Sequence, residues 1–198
     1  MTRADLTPMD VTGRVDRLRT AMDGAEVPAL LVTNLTNVRY LTGFTGSAAL
    51  LLVTAEELLF VTDGRYGQQA TEQLGAAGVT ARIEVDGQKQ KDIVAAGLDR
   101  SGVLRLGLEA DAVTWAAQRT YDRTWFPRAE LVPTTGLVAA LRAVKDDGEI
   151  ARLQAAAAIA DASLAEVRGR LAERPTEVEF GLELDTAIDM IADRFLAA

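Results

Sequence analysis

Val11, Val15, Leu18 and Met22 recur at intervals of four, three and four, which places them on one face of a helix. Pro28 follows, and then Ala29-Leu30-Leu31-Val32, an apolar run of the length of a buried strand. Residues 34 to 42 read as a turn and a brief helix closed by Gly43. Residues 47–53 and 58–62 are apolar strands joined through Ala55-Glu56, which predicts a hairpin. Asp63-Gly64 ends that pair, and residues 65–74 read as a helix stopped by Gly75. Residues 79–85 alternate apolar and polar positions, as a half-buried strand does. Residues 93–98 and 113–121 read as helices, and 104–108 and 131–132 as strands. Strands alternating with helices predict an α/β fold with helices packed on the sheet. The hairpin makes that sheet mixed rather than wholly parallel.

After Pro133-Thr134-Thr135-Gly136 the pattern changes, so domain boundaries are expected at residues 1–135 and 136–198. Asp146 and Glu149 form a capping box, with Asp in place of the usual Ser or Thr. Ile150, Leu153, Ala157, Ala160, Leu164, Val167 and Leu171 then keep a three-four spacing. Glu173-Arg174-Pro175 breaks this helix. Thr176 and Glu179 cap a second one, along which Phe180, Leu184, Ile188, Ile191 and Phe195 share a face. Two helices with one apolar stripe each do not make a domain. They pack on each other and on the α/β unit, open a domain whose remainder lies elsewhere, or pair as a coiled coil.

Composition narrows the chemistry. The 198 residues, 48% hydrophobic and 25% charged, suffice for a proper core. Net charge is −8 without a basic stripe, which argues against a nucleic-acid partner. No apolar run approaches the ~20 residues of a membrane span, and the first residues lack a secretion signal, so a cytoplasmic protein is expected. There is no cysteine and no histidine. Thiolate sites, Ser-His-Asp and Cys-His nucleophiles, and histidine-bearing zinc sites are thereby excluded within this sequence.

The run Asn34 to Ser47 (NLTNVRYLTGFTGS) resembles the N-x-x-YLTGF-x-GS signature of the creatinase, prolidase and aminopeptidase P family. Thr62-Asp63-Gly64-Arg65-Tyr66 with Gln69-Ala70 resembles that family's TDGRY-x-x-QA segment. Leu137-Val138, Leu141-Arg142, Lys145, Glu149-Ile150 and Leu153 resemble its inter-domain connection, and Thr176-Glu177 the opening of the second helix of its catalytic domain. The resemblance implies a creatinase-like N-terminal α/β domain followed by the first two helices of a pita-bread domain, incomplete in this sequence. It further implies an intact metallopeptidase with two divalent ions (Mn, Co or Zn) held by two Asp, one His and two Glu. That enzyme would act on peptides with proline in second position and would be a homodimer or larger homo-oligomer. The ligand positions would lie past the second helix, where this sequence stops. No catalytic or metal residue is therefore carried over, and the segment alone is expected to be inactive. The alternative is a stand-alone binding or dimerisation module of the same fold.

Five residues are candidates for shaping a substrate cleft: Arg39, Tyr40, Phe44, Arg65 and Tyr66. Aromatic rings would cover a proline ring and a guanidinium would pair with a peptide carboxylate. The competing reading gives the aromatics to the core, makes Asp63 a helix cap and makes Gly64 a turn residue. Asp185, Asp189 and Asp193 share a helix face and read as solvated rather than metal-binding. Residues 43–47 lack the lysine and spacing of a phosphate loop. Trp115 and Trp125 read as core or interface residues.

Overall fold

A computed structural model describes residues 6–197, with side chains to Phe195. The described residues divide into two compact units, 11–144 and 6–10 with 145–197. No helix among the described residues is long and apolar enough to cross a membrane.

The larger unit is a six-stranded mixed sheet flanked by helices. Its strands are β1 (Ala29–Val32), β2 (Leu50–Thr54), β3 (Leu58–Thr62), β4 (Arg82–Val85), β5 (Arg105–Glu109) and β6 (Glu130–Thr134). They lie in the order β4-β3-β2-β1-β5-β6. The predicted hairpin is β2-β3, and β1 pairs antiparallel with β2 but parallel with β5. Strand residues alternate between two cores. Leu30, Val32, Leu51, Val53, Leu58 and Phe60 meet α1 (Arg14–Gly24), α2 (Leu35–Thr42), α3 (Gly67–Ala76) and α6 (Leu137–Ala143). Ala29, Leu31, Leu52, Leu59, Val61 and Leu106 meet α4 (Gln90–Ser101) and Phe126, which follows α5 (Trp115–Thr120) and one π-helical turn. The central strands are covered on both faces, which explains their continuous apolar sequence.

Several boundaries shift for local reasons. Residues 47–49 precede β2 rather than joining it: the Ala48 carbonyl accepts from the Thr62 side-chain hydroxyl at 2.6 Å, not from a backbone N–H of β3. Val79 closes α3, its N–H donating to the Leu74 carbonyl behind Gly78 at φ +67°, so β4 starts only at Arg82. Residues 137–143 form a helix that starts at left-handed Gly136 and buries Val138 against the first core. This helix belongs to the α/β unit, whose compact boundary falls after Val144. Trp125 packs edge-on against Tyr121, whereas Trp115 is 76% exposed and outside the core.

In the second unit, α7 (Asp147–Val167) begins with the expected capping box, Glu149 N–H donating to Asp146 at 2.7 Å. A short 3-10 stretch leads to α8 (Glu177–Ala197), where Glu179 accepts from the Thr176 N–H and hydroxyl. The two helices pack on each other; on α8 the expected face of Phe180, Leu184, Ile188, Ile191 and Phe195 is half-buried throughout, whereas α7 turns most of its large stripe outward. Ile150, Leu153, Leu164 and Leu171 are exposed, while Ala155, Ser163, Val167 and Ala187 are buried. The inward row of α7 is Ala155, Ile159, Ser163 and Val167, spaced by fours, and of the expected stripe it keeps only Val167. Asp185, Asp189 and Asp193 are exposed.

Candidate functional site

The loop after α2 and the turn after β3 meet on one surface. α2 starts at Asn34, whose side chain accepts from the Thr36 N–H, and stops at Gly43 in the left-handed conformation (φ 74°). Thr42 Oγ1 donates to the Val38 carbonyl and accepts from the Phe44 N–H, which turns the chain inward. Phe44 then plugs the core at 1% exposure, edge-on to Phe60 (4.9 Å between centroids) and Tyr66 (5.8 Å). A side chain at Gly46 would overlap the Phe44 ring tip and come within 2.8 Å of Tyr66 Cδ1, so only glycine passes there.

Two glutamines clasp the outer part of the loop. Gln73 Oε1 accepts from the Thr45 N–H at 2.9 Å, and Gln73 Nε2 and Gln69 Nε2 donate to Thr45 Oγ1 at 2.9 and 3.0 Å. Ser47 Oγ and the Tyr66 hydroxyl are 2.7 Å apart at the surface. Asp63 is not a helix cap: it accepts from the Arg65 N–H at 2.9 Å in an Asx turn, and α3 begins four residues later at Gly67. Gly64 is not among the positive-φ residues, so the turn does not require its conformational freedom. Arg65 closes onto the same carboxylate through Nε and Nη2 (2.8 Å for Nη2), with its guanidinium 5.0 Å from the Tyr66 ring centroid.

Electrostatics follow from these contacts. The Arg65 side chain, then its N–H, hold the Asp63 carboxyl below the usual carboxylate range, and Asp63 in turn raises Arg65. The Ser47 hydrogen bonds lower the Tyr66 phenol. A depressed acid stabilises the fold above its ordinary pKa, and that contribution is lost as pH falls through the lowered value. The pair is exposed, so the effect on stability is small. Arg65→Ala is accordingly expected to move the Asp63 carboxyl upward in a carbon-detected NMR titration; an unmoved carboxyl would contradict the pairing.

The five sequence candidates separate by burial. Phe44 lies in the core, and so does Tyr40, whose ring lies under the buried Arg14 guanidinium at 4.1 Å while its carbonyl accepts from Arg14 Nη1 at 2.8 Å. Arg39 and Arg65 are exposed and Tyr66 is half-buried. Phe44, Arg65 and Tyr66 belong to one cluster, joined through the Tyr66 ring. Sequence reasoning missed the Gln73 clasp and the Ser47–Tyr66 pair. The one available signal was Gln69 and Gln73 one helical turn apart. A cleft of about 490 Å³, lined in part by Arg19, Thr54, Glu57 and Arg100, includes none of the five. Among the described residues no three acidic side chains gather closely enough to hold a metal ion.

Residues 14–144 match the family model described as Creatinase/Prolidase N-terminal domain. The uncharacterized peptidase YqhT of Bacillus subtilis is 36% identical over 148 residues, covering 75% of this chain and 40% of that protein. A Xaa-Pro dipeptidase from Bacillus anthracis has the same fold at a TM-score of 0.82 and 33% identity, over 91% of this chain and 49% of that one. The N-terminal domain of the cytoplasmic peptidase PepQ from Mycobacterium tuberculosis superposes at a TM-score of 0.57 and 31% identity, over 66% of this chain and 98% of that one. The chain thus spans less than half the length of the first two relatives. With the family model covering most of its length and both signature segments joined in one cluster, the chain belongs to the creatinase/prolidase N-terminal domain family.

Proposed function

We propose that this chain is the N-terminal, non-catalytic portion of a metal-dependent Xaa-Pro peptidase of the dipeptidase or aminopeptidase P type. The observation that carries this reading is the meeting of two signature segments, residues 34–47 and 62–70, in one braced surface cluster on a domain that matches the family model. Similarity to a Xaa-Pro dipeptidase and to a probable Xaa-Pro aminopeptidase P supports the reaction class. Residues 1–135 would form the front domain and residues 136–198 the connection, whose helix at 137–143 packs on the front domain, and the first helices of the catalytic domain. The two divalent ions would be held by residues outside this chain, since its described residues contain no suitable cluster. A homo-oligomer in the cytoplasm, acting on peptides with proline second, completes the proposal.

Within that enzyme the α/β unit narrows the substrate cleft. Asp63 holds Arg65 through Nε and Nη2, while the guanidinium stays largely in solvent at 68% side-chain exposure. A guanidinium fixed by a carboxylate loses little further freedom when it pairs with a peptide carboxylate. Arg65→Ala in the intact enzyme is expected to lower kcat/KM for Xaa-Pro dipeptides about tenfold, the scale of one lost charged hydrogen bond. Thermal denaturation should move by less than about 2 °C, as for an exposed side chain. Unchanged turnover would remove Arg65 from the cleft, and no metal-dependent cleavage by the unmodified enzyme would sink the peptidase reading.

A further inference from the structure

The turn that leads from β1 into α2, just ahead of the Asn34 cap, is occupied by a side chain from another strand. Thr33 and Asn34 present backbone N–H groups where β1 turns into α2. One oxygen of Glu109, at the end of β5, accepts both, at 2.7 and 2.9 Å. Its other oxygen accepts from Asn37 Nδ2 at 2.6 Å. All three partners are donors, so the acceptor-only carboxylate suits them and an amide would not. Asn37 faces two ways, because its Oδ1 accepts from Arg142 Nη1 at 3.1 Å in the last turn of α6. Glu109 and Asn37 are each 8% exposed.

In open α/β sheets, ligands bind past the carboxyl ends of the strands, where a helix N-terminus favours an anion. β1 and β5 are parallel neighbours here, and α2 rises from the end of β1 at that position. We propose that Glu109 is a built-in ligand: the fold fills its own anion site with this carboxylate, and Asn37 relays its hold to Arg142. The amide is suited to the relay, since it donates to the anion and accepts from the cation. The α/β unit therefore uses this crevice to fix α6, which ends one residue before the unit's boundary at Val144. A small free carboxylate is the ligand the site would take if the side chain were removed.

Glu109→Ala in this chain should lower Tm by about 5 °C or more, as expected for three lost hydrogen bonds to a buried anion. Sodium formate should restore part of that loss with saturation, whereas sodium chloride at equal ionic strength should not. The unmodified chain should respond alike to both salts. Arg142→Met should shift the amide proton resonances of Thr33 and Asn34, three hydrogen bonds away along the relay, and Arg142→Lys should bring them back. Should Glu109→Ala not fold, Glu109→Gln and Arg142→Met decide the matter through the same two resonances. The proposal is overturned if formate matches chloride on folded Glu109→Ala, or if those resonances stay in place in Glu109→Gln or Arg142→Met. None of these readouts depends on peptidase activity.

Discussion

Truncating Phe44 to alanine is expected to cost the α/β unit about 3–5 kcal/mol, enough to unfold a large fraction of molecules in mild urea. The ring is buried between Phe60 and Tyr66, and the Gly46 backbone lies directly over its tip. Removing it leaves a cavity whose lid is a loop already fixed by Gln69 and Gln73, so the site cannot collapse to fill it. Phe44→Leu retains most of the volume and should cost less than half as much. Urea midpoints with unchanged slopes would measure both differences. A loss under about 1 kcal/mol for Phe44→Ala would show that the ring does not support the loop and would return it to the candidate cleft residues.

The second large effect is expected from Gly148→Ala in the first turn of α7. Alanine normally stabilises a helix interior over glycine by about 1 kcal/mol. Here a Cβ would overlap the Pro8 carbonyl oxygen and stand 2.7 Å from Met9 Cα and N. These are backbone atoms, and residues 7–9 are further held by Arg152, which donates to the Thr7 carbonyl at 2.7 Å and the Gly148 carbonyl at 2.9 Å. The overlap should win, with a net loss of about 1–3 kcal/mol in the helical unit. Hydrogen exchange should quicken in residues 147–153, and protease should gain access to residues 7–10. A gain in stability would mean that the segment moves aside without cost.

The sequence made the α/β unit legible because its signals were redundant. Leu30 and Leu31 face opposite cores yet are both apolar, so strand existence was plain although register was not. Misplaced edges at residues 47–49 and 79–81 came from side-chain-to-backbone bonds and a helix exit, which leave no periodic trace. The helical unit was read less well. On α8 the apolar stripe is the half-buried face, but on α7 Leu153 and Leu164 are exposed and only Val167 of the stripe is buried, beside Ala155 and Ser163. A hydrophobicity count favours large residues, while close helix approach favours small ones.

The candidate site divides in the same way. Arg65 and Tyr66 could be found because they sit in a recognisable run, whereas their neighbour Asp63 reads in sequence as a helix cap and is in fact the acceptor of an Asx turn. Glu109 drew no notice, since a lone acid after Leu106-Gly107-Leu108 looks like the end of a strand meeting solvent. Its three donors lie more than 70 residues away in sequence, at separations of 76, 75 and 72, beyond the reach of local pattern.

The contact between Thr7 and Arg152 also constrains how the protein is made. Its partners are 145 positions apart, with the whole α/β unit between them. At about 5–20 residues per second, residues 7–9 leave the ribosome roughly 7–30 seconds before their binding surface exists. During that interval the sheet can close while the leading segment waits, so the helical unit matures after the domain that interrupts it.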